Sequence, residues 1–424
     1  MKGNKNIRFI DLFAGLGGIR IGFEQALGSF GFEGETVFSS EIKTYAAKAY
    51  YKNFNEYVSG DITEIFEDAI PDFDFLLAGF PCQAFSNAGK RRGFEDTRGT
   101  LFFDVARILK TKQPVGFLLE NVEGLLNHDN GKTLEIMLNT LNELGYCVSF
   151  SILDGKDFGL AQSRKRIYIC GIKNGKKINL NNFEKKQAYL KDIIEESAPP
   201  VNTKFTQKLF SHFKLNEIIG KQIKDKRGGD DNIHSWDFEL KGRVSHEQKK
   251  LLGLLLKQRR NKKWADIYKI DWMDGMPLTI PMIETFYKTE NLKEMLDDLV
   301  EKNYLVFEYP KMKIGNQRIY ATDLEKGYNI VTGKLSFEFN KILNPDEIAP
   351  TLVATDVSKL AVPVQNGIRP LTIREGLRLF GFPEEYSLDD IPPKDAFDLL
   401  GNTVCVPVIK EVSRRLINAS LNGV

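Results

Sequence analysis

The sequence predicts an α/β fold, a doubly wound sheet joined to a second domain, on three observations. A strand-length apolar run, Ile7 to Phe13, leads through Ala14-Gly15-Leu16-Gly17-Gly18 into the helical spacing Ile19, Ile21, Phe23, Ala26, Leu27, the order strand, glycine turn, helix. Two more apolar runs, Phe73 to Phe80 and Val115 to Leu119, have the continuous character of strands buried on both faces. At 424 residues the chain exceeds one ordinary core, so a second domain is expected.

Taken in order, the first turn needs glycine because the backbone must bend sharply and let a ligand approach the helix N-terminus without a Cβ in the way. The order G-x-G-x-x-G is absent; the turn reads Gly-x-Gly-Gly, which disfavours a pyrophosphate and suits a nucleoside cofactor without phosphates. A second strand, Thr36 to Ser40, ends at Glu41, where nucleotide-binding folds put the acid that holds ribose hydroxyls. Asp61 precedes a helix and reads first as an N-cap.

The third strand runs into Gly79-Phe80-Pro81-Cys82-Gln83-Ala84-Phe85-Ser86. A thiol in the loop after a buried strand lies where open α/β sheets put their chemistry. An arbitrary cysteine is more often an inert small hydrophobe, but Pro81 and the polar Gln83 and Ser86 favour a nucleophile. The fourth strand ends in Glu120-Asn121-Val122 and is followed by a helix around Thr133 to Leu144. A carboxylate there can simply cap a helix; beside a thiol it becomes a candidate proton donor. Gln162-Ser163-Arg164-Lys165-Arg166 then leads into a strand from Ile167 to Ile172, and its two arginines point the same way if the segment is extended.

Composition narrows the setting. Four cysteines (Cys82, Cys147, Cys170, Cys405), none in a C-x-x-C pair, suggest neither a disulfide framework nor a metal site. A reducing cytoplasm is expected, and no apolar stretch approaches the ~18 residues of a membrane span. The net charge of +2 conceals segregation: residues 156–270 hold 27 Lys and Arg against 13 Asp and Glu. A solvated lysine-rich face is the commoner meaning of such a block, and a polyanion partner is the alternative.

From residue 245 the pattern predicts helices at His246 to Arg260, Leu278 to Phe286 and Asn291 to Lys302, then strands at Tyr304 to Tyr309 and Arg318 to Ala321. Three helices and a hairpin make a winged-helix-like insertion over about 245–323. Its last helix carries Glu294, Asp297, Asp298 and Glu301, which repel phosphates. DNA contact is therefore expected, if anywhere here, from Lys249, Lys250, Arg259, Arg260, Lys262 and Lys263.

Seven ordered pieces resemble the C5-cytosine DNA methyltransferases: the turn at 13–18, Gly79 to Ser86, Asp96 to Leu109, Glu120 to Val122, Gln162-x-Arg164-x-Arg166, Arg369 to Pro383, and Gly401-Asn402-Thr403-Val404. The resemblance covers about residues 7–175 and 345–415. It implies a Rossmann-like, S-adenosylmethionine-dependent sheet over 1–178, completed by 395–424, a target-recognition domain over 179–368 and a hinge over 369–394. It implies Cys82 as the nucleophile on C6 of a flipped-out cytosine, Glu120 donating a proton to N3, Arg166 on O2, and Arg164 in support. Phe13, Ala14, Gly15, Gly17 and Gly18 would border the methionine part of the cofactor, Glu41 and Ile42 the ribose, and Asp61 and Ile62 the adenine; Pro81, Leu101, Asn402 and Val404 would complete the cavity. Gln83 and Ser86 would contact DNA.

By the same resemblance the setting is bacterial restriction–modification, with double-stranded DNA as partner, a possible cognate endonuclease, no metal, and a monomer. A tRNA cytosine methyltransferase of the same superfamily and a catalytically dead DNA-binding protein are the alternatives. One departure is Ala161, where the family usually has proline before the glutamine, which puts that turn's geometry in question.

Overall fold

The computed structural model describes residues 6–81, 101–226, 229, 231–270, 275–314, 317–331, 337–353 and 357–422. The chain divides into two units, Met1–Glu195 with Pro345–Ser358 and Leu371–Val424, and Glu196–Asn344 with Lys359–Pro370.

The first unit begins β1 (Asn6–Leu12), α1 (Gly18–Gly28), β2 (Glu33–Ser40), α2 (Thr44–Phe54), β3 (Phe75–Gly79), α3 (Leu101–Lys112), β4 (Gly116–Val122), α4 (Lys132–Glu143), β5 (Tyr146–Asp154) and β6 (Lys165–Lys173). The strands form one sheet in the order β2-β1-β3-β4-β6-β5. β1 pairs in parallel with β2 and β3, and β3 with β4, whereas β6 runs antiparallel to both its neighbours. Alternation along β1 separates the two faces. Ile10 and Leu12 share a core with Phe102 and Leu109 of α3 and Leu134 of α4, while Phe9 packs edge-on to Phe23 of α1 at 5.2 Å.

Five of these strands coincide with the expected ones. β5 was not anticipated, and neither was the reversal of β6. That reversal sets the geometry of one sheet edge, because it brings Arg166, near the start of β6, opposite Val122 at the end of β4.

The second unit contains α5 (Lys204–Phe210), α6 (Leu215–Ile218), β7 (Gln222–Ile223), β8 (Asn232–Ile233), α7 (His246–Gln258), α8 (Lys263–Tyr268), α9 (Ile280–Glu284), α10 (Leu292–Glu301), β9 (Leu305–Glu308), β10 (Lys311–Ile314), β11 (Gln317–Tyr320), β12 (Gly327–Ile330), β13 (Lys341–Ile342), β14 (Leu360–Val364) and β15 (Gly367–Pro370). A five-stranded sheet, β15-β14-β13-β7-β8, is covered by Phe205 and Leu209 of α5. A second core gathers α7 and α10 around Trp236, Trp264, Leu278 and Tyr304.

The expected helices at 246–260, 278–286 and 291–302 are present as α7, α9 and α10, the second reduced to five residues. The expected strand pairing is corrected. β9 pairs with β12, not with 318–321, and β11 pairs with β10 in a separate two-stranded ribbon. The reason is packing: Leu305, Tyr328 and Ile330 enter the helical core, and no residue of β11 does.

The chain then returns to the first unit as α11 (Ile373–Phe380), α12 (Pro393–Asn402) and α13 (Val406–Asn422). α13 lies against α1, where Gly22 permits the approach; a Cβ there would stand 2.6 Å from Ile409 and 2.9 Å from the Val406 carbonyl oxygen. Among the described residues no helix is long and apolar enough to cross a membrane.

Candidate active site

The C-terminal ends of β1 to β4 and the start of β6 surround a cavity of about 670 Å³, walled on another side by Leu399 and Gly401 to Val404. It is built from two halves.

The first half begins at the glycine turn. Phe13 and Gly15 adopt left-handed backbone (φ 56° and 53°), and the turn is tied to β2 by the Ala14 amide donating to the Ser40 carbonyl at 2.9 Å. At the end of β2, Glu41 accepts from the Gly15 amide at 2.9 Å and from the Lys43 amide at 2.8 Å. One carboxylate thus holds both strand ends in place. Asp61 accepts from the Thr63 amide at 2.9 Å, so it is an N-cap as its sequence context indicates, and it also lines the cavity with Ile62. Arg107 of α3 secures that segment by donating to the Ile62 and Ile65 carbonyls.

Of the residues expected to hold a cofactor, Phe13, Ala14, Gly15, Gly18, Glu41, Ile42, Asp61, Ile62, Pro81, Leu101, Asn402 and Val404 all line the cavity. Gly17 is not among those lining residues. With φ at 69° and a Cβ position only 2.4 Å from the Phe54 ring, it is a glycine for helix entry and packing. Gly18 is the one whose missing side chain shapes the wall, since a Cβ there would meet Val404 at 2.9 Å.

The second half carries the charge. Glu120 on β4 is 8% exposed and pairs with Arg166, Oε1 to Nε at 3.2 Å. Burial pushes its carboxyl above the usual range, with Arg166 and then Arg164 opposing the shift. Arg164 is almost fully buried. It donates to the Leu352 carbonyl at 2.9 Å, to Gly401 at 3.1 Å and to Thr403 at 2.8 Å. Burial, followed by repulsion from Arg166, brings it down to about 10, so it stays charged at neutral pH. Its hydrogen bonds make it a strut between the arginine turn and the Gly401–Val404 wall.

Three residues shape this edge that sequence reasoning left without a role. Asn121 donates to the Phe80 carbonyl at 2.8 Å and so fixes the backbone two residues before Cys82. Asp154 accepts from the Arg164 amide at 2.8 Å and the Ser163 hydroxyl at 2.9 Å. Gln162, fully buried, donates to the Leu379 carbonyl and accepts from the Leu352 amide, both at 3.0 Å. Together with the Ala349 amide on the Ala161 carbonyl at 2.8 Å, these bonds define the turn that lacks proline. Asn121 and Gln162 stood within the ordered pieces read from the sequence, whereas Asp154 gave no advance signal.

Cys82, Gln83 and Ser86 lie outside the described residues; Gly79, Phe80 and Pro81, which lead to them, form part of the cavity wall. Cys405, near Arg164, is buried and pushed up to about 12, chiefly by burial, so it stays a thiol at neutral pH.

The expected DNA contacts need one correction. Arg259 is 1% exposed and donates to the Asn329 side chain at 3.1 Å, a core residue of its unit. Lys249 donates to the Asp237 carbonyl at 3.1 Å. Lys250, Lys262 and Lys263 are exposed and Arg260 is half-buried.

The C-5 cytosine-specific DNA methylase family matches residues 7–418. Type II methyltransferase M.NlaIV of Neisseria lactamica is 57% identical over 98% of this chain and 99% of its own length. Type II methyltransferase M.BanI of Aneurinibacillus aneurinilyticus is 41% identical over 98% and 97%. The solved structure of S. pombe Dnmt2 methyltransferase aligns with a TM-score of 0.53 at 16% identity, over 97% of this chain and 98% of that one, a likeness of fold.

Proposed function

This chain belongs to the C-5 cytosine-specific DNA methylase family and is a DNA (cytosine-5-)-methyltransferase, and from that premise we propose how its residues divide the reaction. The observation that carries the proposal is the Glu120–Arg166 pair: a buried carboxyl, held toward its protonated form, on the wall of the cavity that Pro81 also lines.

Cytosine C5 is too weak a nucleophile to take a methyl group unaided, so a thiolate must first add at C6. We assign that thiolate to Cys82. As the S–C6 bond forms, electron density moves into the ring; Glu120 supplies a proton to N3 and Arg166 stabilises charge at O2. C5 is then nucleophilic, takes the methyl group, and loses its proton to water as the S–C6 bond breaks. The duplex hides C5 and C6, so the target base must leave the stack.

The family implies S-adenosylmethionine, and the cavity suits it. Its volume is in the range of small-molecule sites, it places Glu41 at a strand end, and Phe13, Ile62 and Leu101 give apolar walls. When bound, the cofactor supplies the electrophilic methyl group. Glu41 would orient the ribose, Asp61 and Ile62 the adenine, and the turn at Phe13 to Gly18 the methionine part.

By analogy with its Type II relatives, the protein would protect host sites cleaved by a cognate endonuclease, acting as a monomer in the bacterial cytosol. Duplex DNA carrying 5-fluorocytosine at the target tests the chemistry, because fluorine blocks the final elimination. The parent protein should form a denaturant-stable adduct with cofactor present, and Cys82→Ser should form none. An adduct with the serine variant would refute the assignment, and bisulfite sequencing of treated DNA should reveal new 5-methylcytosine.

A further inference from the structure

We infer that the two-stranded ribbon of β10 and β11 is a DNA-contacting element that presents a basic face to the major groove; the inference rests on the DNA substrate assigned above. Register defines that face. Lys311 stands opposite Tyr320 and Lys313 opposite Arg318, and residues directly opposite in an antiparallel pair project from the same side. Lys311, Lys313, Arg318 and Tyr320 therefore share one face, with Met312 and Ile319 on the other.

The charges on this face are unevenly satisfied. Lys311 pairs with Glu308 at 3.1 Å and lies 4.9 Å from the centre of the Tyr320 ring. Lys313 and Arg318 have no carboxylate partner among the described residues, and like charges directly opposite one another destabilise a strand pair. The ribbon also stands alone: among the described residues no other strand pairs with it, and Gln317 to Tyr320 are all exposed. Isolated hairpins are marginal in water, so this one keeps an unfavourable cation pair where a neutral pair would serve the fold better. A polyanion relieves that repulsion. The major groove is about 12 Å wide and admits a two-stranded ribbon, and exposed Tyr320, whose hydroxyl donates to Glu308 at 3.3 Å, adds a ring on the cationic side.

Two other features of this unit serve less well. Arg259 is committed to its core, and α10 carries four acids.

Lys313→Glu separates a binding role from a structural one, because it turns the like-charge pair into a cross-strand ion pair with Arg318. In the full-length protein this variant should melt at the parent's temperature or above it and bind S-adenosylhomocysteine as the parent does. It should bind duplex DNA at least tenfold more weakly, with a slope of log K against log salt shallower by about 1 to 2, at ~0.9 per phosphate contact. Lys313→Arg should bind DNA like the parent. Unchanged DNA affinity and slope in Lys313→Glu would overturn the inference and leave the methyltransferase assignment intact, since the parent's methylation of the same duplex is measured alongside. Weakened DNA binding with a lowered melting temperature and weakened cofactor binding would also overturn it, by showing a structural role.

Discussion

Glu120 shows how much of the role proposed for a residue is made by its surroundings. Its position at a strand end was legible from sequence, but its protonation tendency was not, because burial and the two arginines act in opposite directions. Burial prevails, and that decides what the group can do: a carboxyl raised above its usual range keeps a proton to give at higher pH. Activity that needs this proton should be full at lower pH and decline as pH rises through the folded-state pKa. The same sign applies to stability, since the protonated form is the better-accommodated one, and its contribution is lost as pH rises above the unfolded carboxyl's value. Glu120→Gln should lower kcat about 10² to 10³-fold, in the range of general acid catalysis, and abolish the alkaline decline. Its melting temperature at pH 8, relative to the parent, should be no lower than at pH 5. Melting curves and a pH–rate profile check both statements. Asn121, by contrast, reads in sequence as a mere neighbour of Glu120, and its side chain anchors the Phe80 carbonyl two residues before Cys82.

Among the elements, a polar seam between the start of α2 and α12 borders the cavity proposed to hold the cofactor. Lys43 lines the cavity and pairs with Asp398 at 2.8 Å; Tyr45 donates to the same carboxylate at 2.6 Å, and Asn402 donates to the Asp398 carbonyl at 2.8 Å. The pair is partly exposed, so its worth is at most about 1 kcal/mol, roughly fivefold in affinity. Asp398→Ala should raise KM for the methyl donor about three- to fivefold with kcat unchanged, and the exchanged pair Lys43→Asp with Asp398→Lys should recover most of it. Steady-state kinetics at saturating DNA would show the split, and a fall in kcat instead would speak against a seam that acts on cofactor binding. Sequence periodicity found most elements but missed β5. That strand lies at the sheet edge, where Ser149 and Ser151 interrupt the apolar run and only three of its nine residues are buried, so it lacks the continuous pattern of the central strands. The pairing of β9 with β12 was unreadable for a different reason: proximity in sequence favours a hairpin, and the helical core chose a more distant partner.

For the molecule as a whole, the second unit is assembled from two stretches of chain. β14 and β15, contributed by Lys359–Pro370, complete the sheet whose β13 ends just before residue 345, and Ala361 and Ile368 enter its core. A fragment of residues 196–370 should therefore unfold cooperatively on heating. A fragment of 196–344 should not, because it exposes Ile342 and the sheet edge that β14 covers. Calorimetry or dispersed amide resonances would distinguish them, and cooperative unfolding of the shorter piece would show that the first stretch folds alone.

The sequence by itself determined the chemistry available to this protein. The order of its glycine turn, Gly79 to Ser86, Glu120 and the two arginines carries the family, and the strands that hold them announce themselves by apolar runs. Only the tertiary structure decided which residues share a space. The reversal of β6 brings Arg166 to Glu120, the return of Gly401 to Val404 closes the cavity, and Arg259 is withdrawn into a core. Strand direction, closure and burial depend on contacts between residues far apart in sequence, from 46 positions for Glu120 and Arg166 to 237 for Arg164 and Gly401, and local pattern carries no record of them.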